Sequence, residues 1–206
     1  MDDSWLSSSA ARLWHLVAQR CERGADTGAI DQRIWDLFGE EWAVVFTDLA
    51  GFSRGVEKFG IIHFLQVIYE HKKLLLPLVE EHDGILVKAE GDSLMLLFRR
   101  AVRALDCCQA MMQACEHVNG RRKPEEQILL CAGIGYGRIL RVGDEDVWGA
   151  EVNAASKLGE DRAKAGDILI TDAARAQLAL EGRVELSLEE IDAEVPASLH
   201  NFKLRR

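Results

Sequence analysis

The chain has 206 residues, 48% of them hydrophobic, with three prolines and no low-complexity tract, so it has material for one good core plus an appendage and does not read as disordered. A formal charge of −9 without a basic face argues against a nucleic-acid partner; the densest basic run, Arg121-Arg122-Lys123, leads into Pro124-Glu125-Glu126 and reads as a solvated loop. No apolar run reaches the ~18 residues of a membrane span, Met1-Asp2-Asp3-Ser4 lacks the basic start of a signal peptide, and five cysteines without a Cys-x-x-Cys pair support neither zinc nor disulfides, which fits a reduced, cytoplasmic setting.

Residues 8–38 carry apolar residues at helical spacing, Leu13, Trp14, Leu16 and Val17 before Gly24 and Ile30, Ile34, Trp35, Leu37 and Phe38 after it, which predicts two short helices. Residues 1–40 are therefore expected to be a helical appendage, for packing or for a dimer contact, on a domain spanning 41–206. Within that domain, Trp42–Thr47 reads as a strand and Phe59–Glu81 as a long helix in which Pro77 introduces a kink. Strands 84–89 and 94–98 form a hairpin across Glu90-Gly91-Asp92-Ser93, and 101–118 is a helix. Strands 128–134 and 138–142 flank Gly135-Tyr136-Gly137; a helix (152–162), a strand (167–171), a helix (172–180) and strand-like tail pieces follow. This order predicts an α+β fold: a ferredoxin-like βαββαβ core with an extra hairpin and strand, helices over one face of a mostly antiparallel sheet.

Two acidic residues end up at turns. Asp48 closes the apolar strand Val44-Val45-Phe46-Thr47 and precedes Leu49-Ala50-Gly51-Phe52-Ser53, a loop whose amides suit a phosphate while the carboxylate holds Mg²⁺. An Asp-Leu-Ala-Gly turn with no ligand fits the same residues. Asp92 sits at the hairpin tip, where Gly-Asp is also ordinary turn chemistry. If the first strand lies beside the hairpin the two carboxylates converge, and they would repel unless cations neutralise them.

Phe46-Thr47-Asp48-Leu49-Ala50-Gly51-Phe52-Ser53, Lys88-Ala89-Glu90-Gly91-Asp92 and Asp146-Val147-Trp148-Gly149 through Val152-Asn153-Ala154-Ala155-Ser156-Lys157-Leu158 together resemble, in order, the three signatures of class III adenylate/guanylate cyclases. The resemblance spans roughly 41–180 and implies the nucleotide cyclase fold. It implies that Asp48 and Asp92 bind two Mg²⁺ or Mn²⁺ ions, and that Lys88 and Asp146 read adenine. It further implies that Asn153 orients the ribose and Arg138 contacts phosphate. The reaction implied is ATP to 3′,5′-cyclic AMP and pyrophosphate, with GTP the less favoured substrate, in a head-to-tail homodimer whose metal aspartates and base-reading residues come from different subunits. The alternative is a degenerate cyclase-homology module that binds nucleotide or a partner without efficient catalysis.

The chain departs from the family at three places. Lys157 stands where the family has a transition-state arginine, keeping the charge and losing the planar fork. Pro196 falls near a position where the family often has a lysine. The segment Leu140–Glu145 is short where relatives carry a longer arm, and Trp5, Trp14 and Trp35 could supply replacement contact area. The remaining readings are structural: His63, His71 and His82 as surface residues without metal spacing, Trp148 and Leu94–Leu97 as core, and Glu151 as a helix-start charge.

Overall fold

The computed structural model describes residues 9–51, 57–144, 146–193 and 195–205. Two helices lead, α1 (Ser9–Arg20) and α2 (Thr27–Phe38), with the Asp26 carboxylate capping α2 by accepting from the Ala29 amide at 3.0 Å. Then come β1 (Gly39–Leu49), α3 (Ile61–Glu81), β2 (Ile85–Glu90), β3 (Ser93–Phe98), α4 (Ala101–Asn119) and β4 (Leu130–Val142). The chain continues through β5 (Asp146–Trp148), α5 (Ala150–Ser156), a π-helical turn (Lys157–Arg162), β6 (Ile168–Thr171), α6 (Asp172–Leu180), β7 (Leu188–Ile191) and β8 (Asn201–Leu204). The strands form one sheet in the order β2-β3-β1-β4-β6-β8-β7, with β5 paired to β4, and only the β4–β6 pairing among these is parallel. Pro77 lies inside α3 without ending it.

Strand alternation divides the core in two. Ala43, Val45, Leu94, Leu96, Ala132, Ile134, Ile168 and Ile170 face α3, α4 and α6. Trp42, Val44, Phe46, Leu97 and Ile139 face the other way, against Val147, Val152 and Ala155 of β5 and α5. Helices therefore cover both faces of the sheet, not one.

The expectation of two strands around Gly135-Tyr136-Gly137 also gives way: β4 runs unbroken through them. These glycines are spacing devices. A Cβ at Gly133 would lie 2.3 Å from the Ala155 carbonyl oxygen, and one at Gly135 would lie 2.6 Å from that of Glu151. The Gly133-Gly135-Gly137 stripe lets α5 rest its backbone directly on β4.

Three side-chain readings are corrected. Arg122 is half-buried and paired with Glu70 at 2.7 Å, so the basic run is not wholly solvated. Trp148 is 38% exposed, edge-on to Trp14 with ring centroids 6.5 Å apart. His71 is not a surface residue: it is fully buried, and neither ring nitrogen has a hydrogen-bond partner among the described residues. It lies on the stripe Val67, Ile68, His71, Leu75, Val79 that α3 turns inward.

Burial, with Lys72 nearby, lowers the His71 pKa from 6.5 to about 4. Because the unfolded chain takes up the proton more readily, this residue's contribution to stability is intact above pH 6.5 and is lost as the pH falls through about 4. His71→Leu is expected to remove about 2 kcal/mol of the stability that the parent loses between pH 7 and pH 5. Urea midpoints at the two pH values check this, and parallel losses in both proteins would contradict it.

Candidate active site

Asp48 is the penultimate residue of β1, which pairs with β3 on one side and β4 on the other. Thr47 stands opposite Leu94 on β3, so the tip of the β2–β3 hairpin lies beside Asp48. That tip turns at Gly91, whose φ of 56° suits glycine, and it carries Asp92. The two carboxylates meet there. Burial first, then the charge and hydrogen bond of Asp92, raise the Asp48 pKa from 3.8 to about 7, with Glu160 adding to the repulsion and the Leu49 amide opposing it. The Asp48 backbone is pinned as well: its carbonyl accepts from the Cys131 thiol at 3.3 Å, and the same Sγ lies 3.3 Å from the Gly159 carbonyl.

Leu49, Ala50 and Gly51 follow directly, while Phe52 and Ser53 lie outside the described residues. The expectation that this loop's amides cradle an anion fails at Ala50, whose amide donates to the Leu129 carbonyl at 2.8 Å. Leu49 is 4% exposed and belongs to the core.

Lys88 and Asp146, from β2 and β5, form an ion pair at 3.0 Å, both about one-third exposed. Asp146 also accepts from the Val147 amide at 3.0 Å, which fixes its carboxylate. Lys88 opens onto a cavity of about 190 Å³ lined by Phe46, Glu90, Ser93, Met95 and Glu160. Met95 thus lines this cavity, whereas Leu94, Leu96 and Leu97 are core as expected.

Asn153 and Lys157 are exposed and one helical turn apart, Asn153 on α5 and Lys157 where the π-helical turn begins. Lys157 Nζ lies 2.6 Å from Asp161, a pair about half exposed on both sides. Arg138 does not join either group. It stands opposite Glu41, whereas Asp48 stands opposite Cys131, an offset of about 20 Å along β4. Alternation with Ala132 and Ile134 places it on the opposite face of the sheet. There its guanidinium lies over the Trp35 ring, 4.8 Å from the centroid, and donates to the Trp35 carbonyl at 3.1 Å. Within one subunit, therefore, Arg138 stands apart from Asp48 and is engaged by Trp35.

The sequence reading missed two carboxylates. Glu151 does start α5, and it also accepts from the Tyr136 amide at 3.1 Å and from Thr171 Oγ1 at 2.8 Å, fastening the helix to β4 and β6. Burial raises its pKa above the ordinary carboxylate value, opposed by those two bonds. Glu160 accepts from Ser93 and Ser156 beside Asp48. The β4–β5 hairpin is short, and Leu140 and Val142 pack on Leu13, Leu16, Ile34 and Phe38 of the N-terminal helices. Trp14 and Trp35 make their ring contacts within this chain, and Trp5 lies outside the described residues.

The donor set fits hard divalent cations. Asp48 and Asp92 offer carboxylate oxygens at one spot, and burial together with the Asp92 charge raises the Asp48 pKa, a cost that a bound cation would offset. Among the described residues no cluster of three or more His, Cys, Asp or Glu side chains forms a metal centre by itself, so further ligands would come from a phosphate-bearing substrate and water.

Residues 39–200 match the family described as the adenylate and guanylate cyclase catalytic domain. A curated relative, "Putative adenylate cyclase 3" of Rhizobium meliloti (strain 1021), is 32% identical over 130 residues, covering 63% of this chain and 22% of the relative. Serine/threonine-protein kinase pkn2 of Myxococcus xanthus is 29% identical over 130 residues, covering 63% of this chain and 15% of the relative. The chain thus spans less than a quarter of the length of these curated relatives. The crystal structure of an adenylate/guanylate cyclase/hydrolase from Silicibacter pomeroyi superposes with a TM-score of 0.70 at 22% identity, covering 82% of this chain and 98% of that one. The α+β architecture is that of the nucleotide cyclase fold.

Proposed function

The chain belongs to the adenylate and guanylate cyclase catalytic domain family, and we propose that it converts ATP to 3′,5′-cyclic AMP and pyrophosphate at the interface of a head-to-tail homodimer. The observation that carries this reading is the convergence of Asp48 and Asp92, from separate segments, on one spot where the Asp92 charge raises the cost of charging Asp48. In this reading residues 41–206 are the catalytic unit, 1–40 an appendage, and the setting cytoplasmic.

Asp48 and Asp92 hold two Mg²⁺ or Mn²⁺ ions, which when bound neutralise the triphosphate and lower the pKa of the ribose 3′-hydroxyl. Lys88 donates to adenine N1 and Asp146 accepts from the N6 amine. Their 3.0 Å pairing supports ATP over GTP, because guanine would need an acceptor where Lys88 stands. Asn153 orients the ribose for in-line attack on the α-phosphorus, and Lys157 places one positive charge against the charge that develops there. A lysine cannot grip bidentately as arginine does, and losing such a donor slows turnover by about a hundredfold.

The second reading, a nucleotide- or partner-binding module without efficient turnover, draws on the Lys157–Asp161 contact. A solvent-exposed pair of this kind is weak, so it does not hold Lys157 away from a substrate.

The composite site makes a sharp demand. Asp48→Asn and Asn153→Ala are each expected to be nearly inactive alone. Mixed and allowed to exchange subunits, they should regain about a quarter of parental cyclic AMP formation, since half of the dimers are mixed and each carries one intact site of two. Two dimeric variants that recover nothing on mixing would rule out a site shared between subunits.

A further inference from the structure

We propose that Glu160 is a positioning residue of the metal site: acting through Ser93, it keeps the Asp48 carboxylate open to a divalent ion. The inference rests on the reading that Asp48 and Asp92 hold such ions.

Ser93 follows Asp92 directly, and its hydroxyl stands between two carboxylates, 3.4 Å from Asp48 Oδ1 and 3.0 Å from Glu160 Oε1. A hydroxyl carries one proton and cannot serve both. The nearer acceptor, Glu160, takes it. Asp48 Oδ1 then has no hydroxyl competing with a cation for its lone pairs. The other oxygen of Glu160 accepts from Ser156 Oγ, so the carboxylate is held at both ends, between the β3 tip and α5.

The backbone supports this placement. Glu160 stands on the π-helical turn, where the Ala163 amide reaches back five residues to the Leu158 carbonyl at 2.8 Å. Such wide turns are rare and recur at functional sites. Here the turn presses Gly159 onto the sheet: a Cβ on it would lie 2.6 Å from the Phe46 carbonyl oxygen. Glu160 is thereby aimed into the cavity it shares with Lys88 and Ser93. Both Glu160 oxygens already accept from serine hydroxyls, so Glu160 acts on the ion through Ser93 and not as a ligand. The same carboxylate ties the β3 tip, next to Asp92, to α5, the helix that carries Asn153.

Replacing Glu160 by Gln leaves a single acceptor oxygen for two serine hydroxyls, which frees the Ser93 proton to turn toward Asp48. The test is Mn²⁺ binding to the full chain without nucleotide, followed by the electron paramagnetic resonance of free Mn²⁺. Glu160→Gln is expected to weaken binding about tenfold, the lower end of what partners of metal ligands contribute. In a Ser93→Ala background the same change should matter less than about twofold, since the relay is gone. An equal loss in both backgrounds would make Glu160 a remote charge and overturn the proposal, as would unchanged binding in Glu160→Gln. Asp92→Asn separates this from the underlying reading. If it leaves Mn²⁺ binding intact the metal site itself is misassigned; if it abolishes binding while Glu160→Gln has no effect, only the role of Glu160 falls.

Discussion

Asp48→Asn is expected to lower cyclic AMP formation by about a thousandfold or more, and at pH 8 without metal to make the protein more stable than its parent. The first effect follows from removing a ligand whose metal contributes several kcal/mol of transition-state stabilisation, at 1.36 kcal/mol per factor of ten. The second follows from the cost of the carboxylate pair. The folded-state pKa of Asp48 is about 7 against 3.8 for the ordinary carboxyl, raised by burial and by Asp92. A raised pKa means that this group's contribution is fully present below pH 3.8 and is lost as the pH rises through about 7. At pH 8 the metal-free parent carries the whole penalty, roughly 2 kcal/mol once solvent screening of a half-buried group is allowed for. The isosteric amide has no charge to lose. Thermal scans should place the variant about 5 °C above the parent at pH 8, with the gap closing toward pH 4. Mn²⁺ should raise the parent's midpoint and leave the variant's nearly unchanged. A variant less stable than the parent at pH 8 would mean that the two carboxylates are not forced together.

Gly133→Ala is expected to cost about 3 kcal/mol and to depress activity although it touches no residue assigned to nucleotide or metal. Its Cβ would meet backbone on two sides, 2.3 Å from the Ala155 carbonyl oxygen and 2.4 Å from the Gly159 amide nitrogen. Neither is the end of a flexible side chain, so the strain sits at the upper end of overpacking costs. Relief requires α5 and the π-helical turn to lift from β4, which carries Asn153, Lys157 and Glu160 away from Asp48. Gly120→Ala is the control: its Cβ would find its nearest neighbour, the His117 carbonyl oxygen, at 3.6 Å, and should change stability little. Urea unfolding of both variants, with cyclic AMP formation measured alongside, tests the pair. Equal stability of the two would show that α5 does not depend on the glycine stripe.

That stripe marks where local pattern misleads. Gly135-Tyr136-Gly137 has the punctuation of a turn, and nothing in the local pattern distinguishes a glycine that bends a strand from one that admits a helix. The distinction depends on α5, whose packing partner lies elsewhere in the chain. Strand alternation and the hairpin around Gly91 were legible because apolar runs and turn residues are local signals, and these signals single out Asp48 and Asp92, whereas Lys88 and Asp146 stand out only through the resemblance to the cyclase signatures. Arg138 matched by position in a motif, yet the alternation of β4 turns it to Trp35 on the other face. His71 was misread because polarity suggested the surface, although its place between Ile68 and Leu75 on a helical stripe was a signal for burial. Glu160 looks like any solvated charge after a helix; only the wide turn and the Ser93 contact reveal it.

The most direct measurement is the product formed by the purified dimeric chain from ATP, and in parallel from GTP, in the presence of Mn²⁺. Cyclic AMP with stoichiometric pyrophosphate, exceeding cyclic GMP by about tenfold or more, is the result expected from Asp48 and Asp92 acting with the Lys88–Asp146 pair. A protein shown to be dimeric and to bind Mn²⁺ that releases neither cyclic nucleotide would contradict the account and leave a binding module in its place.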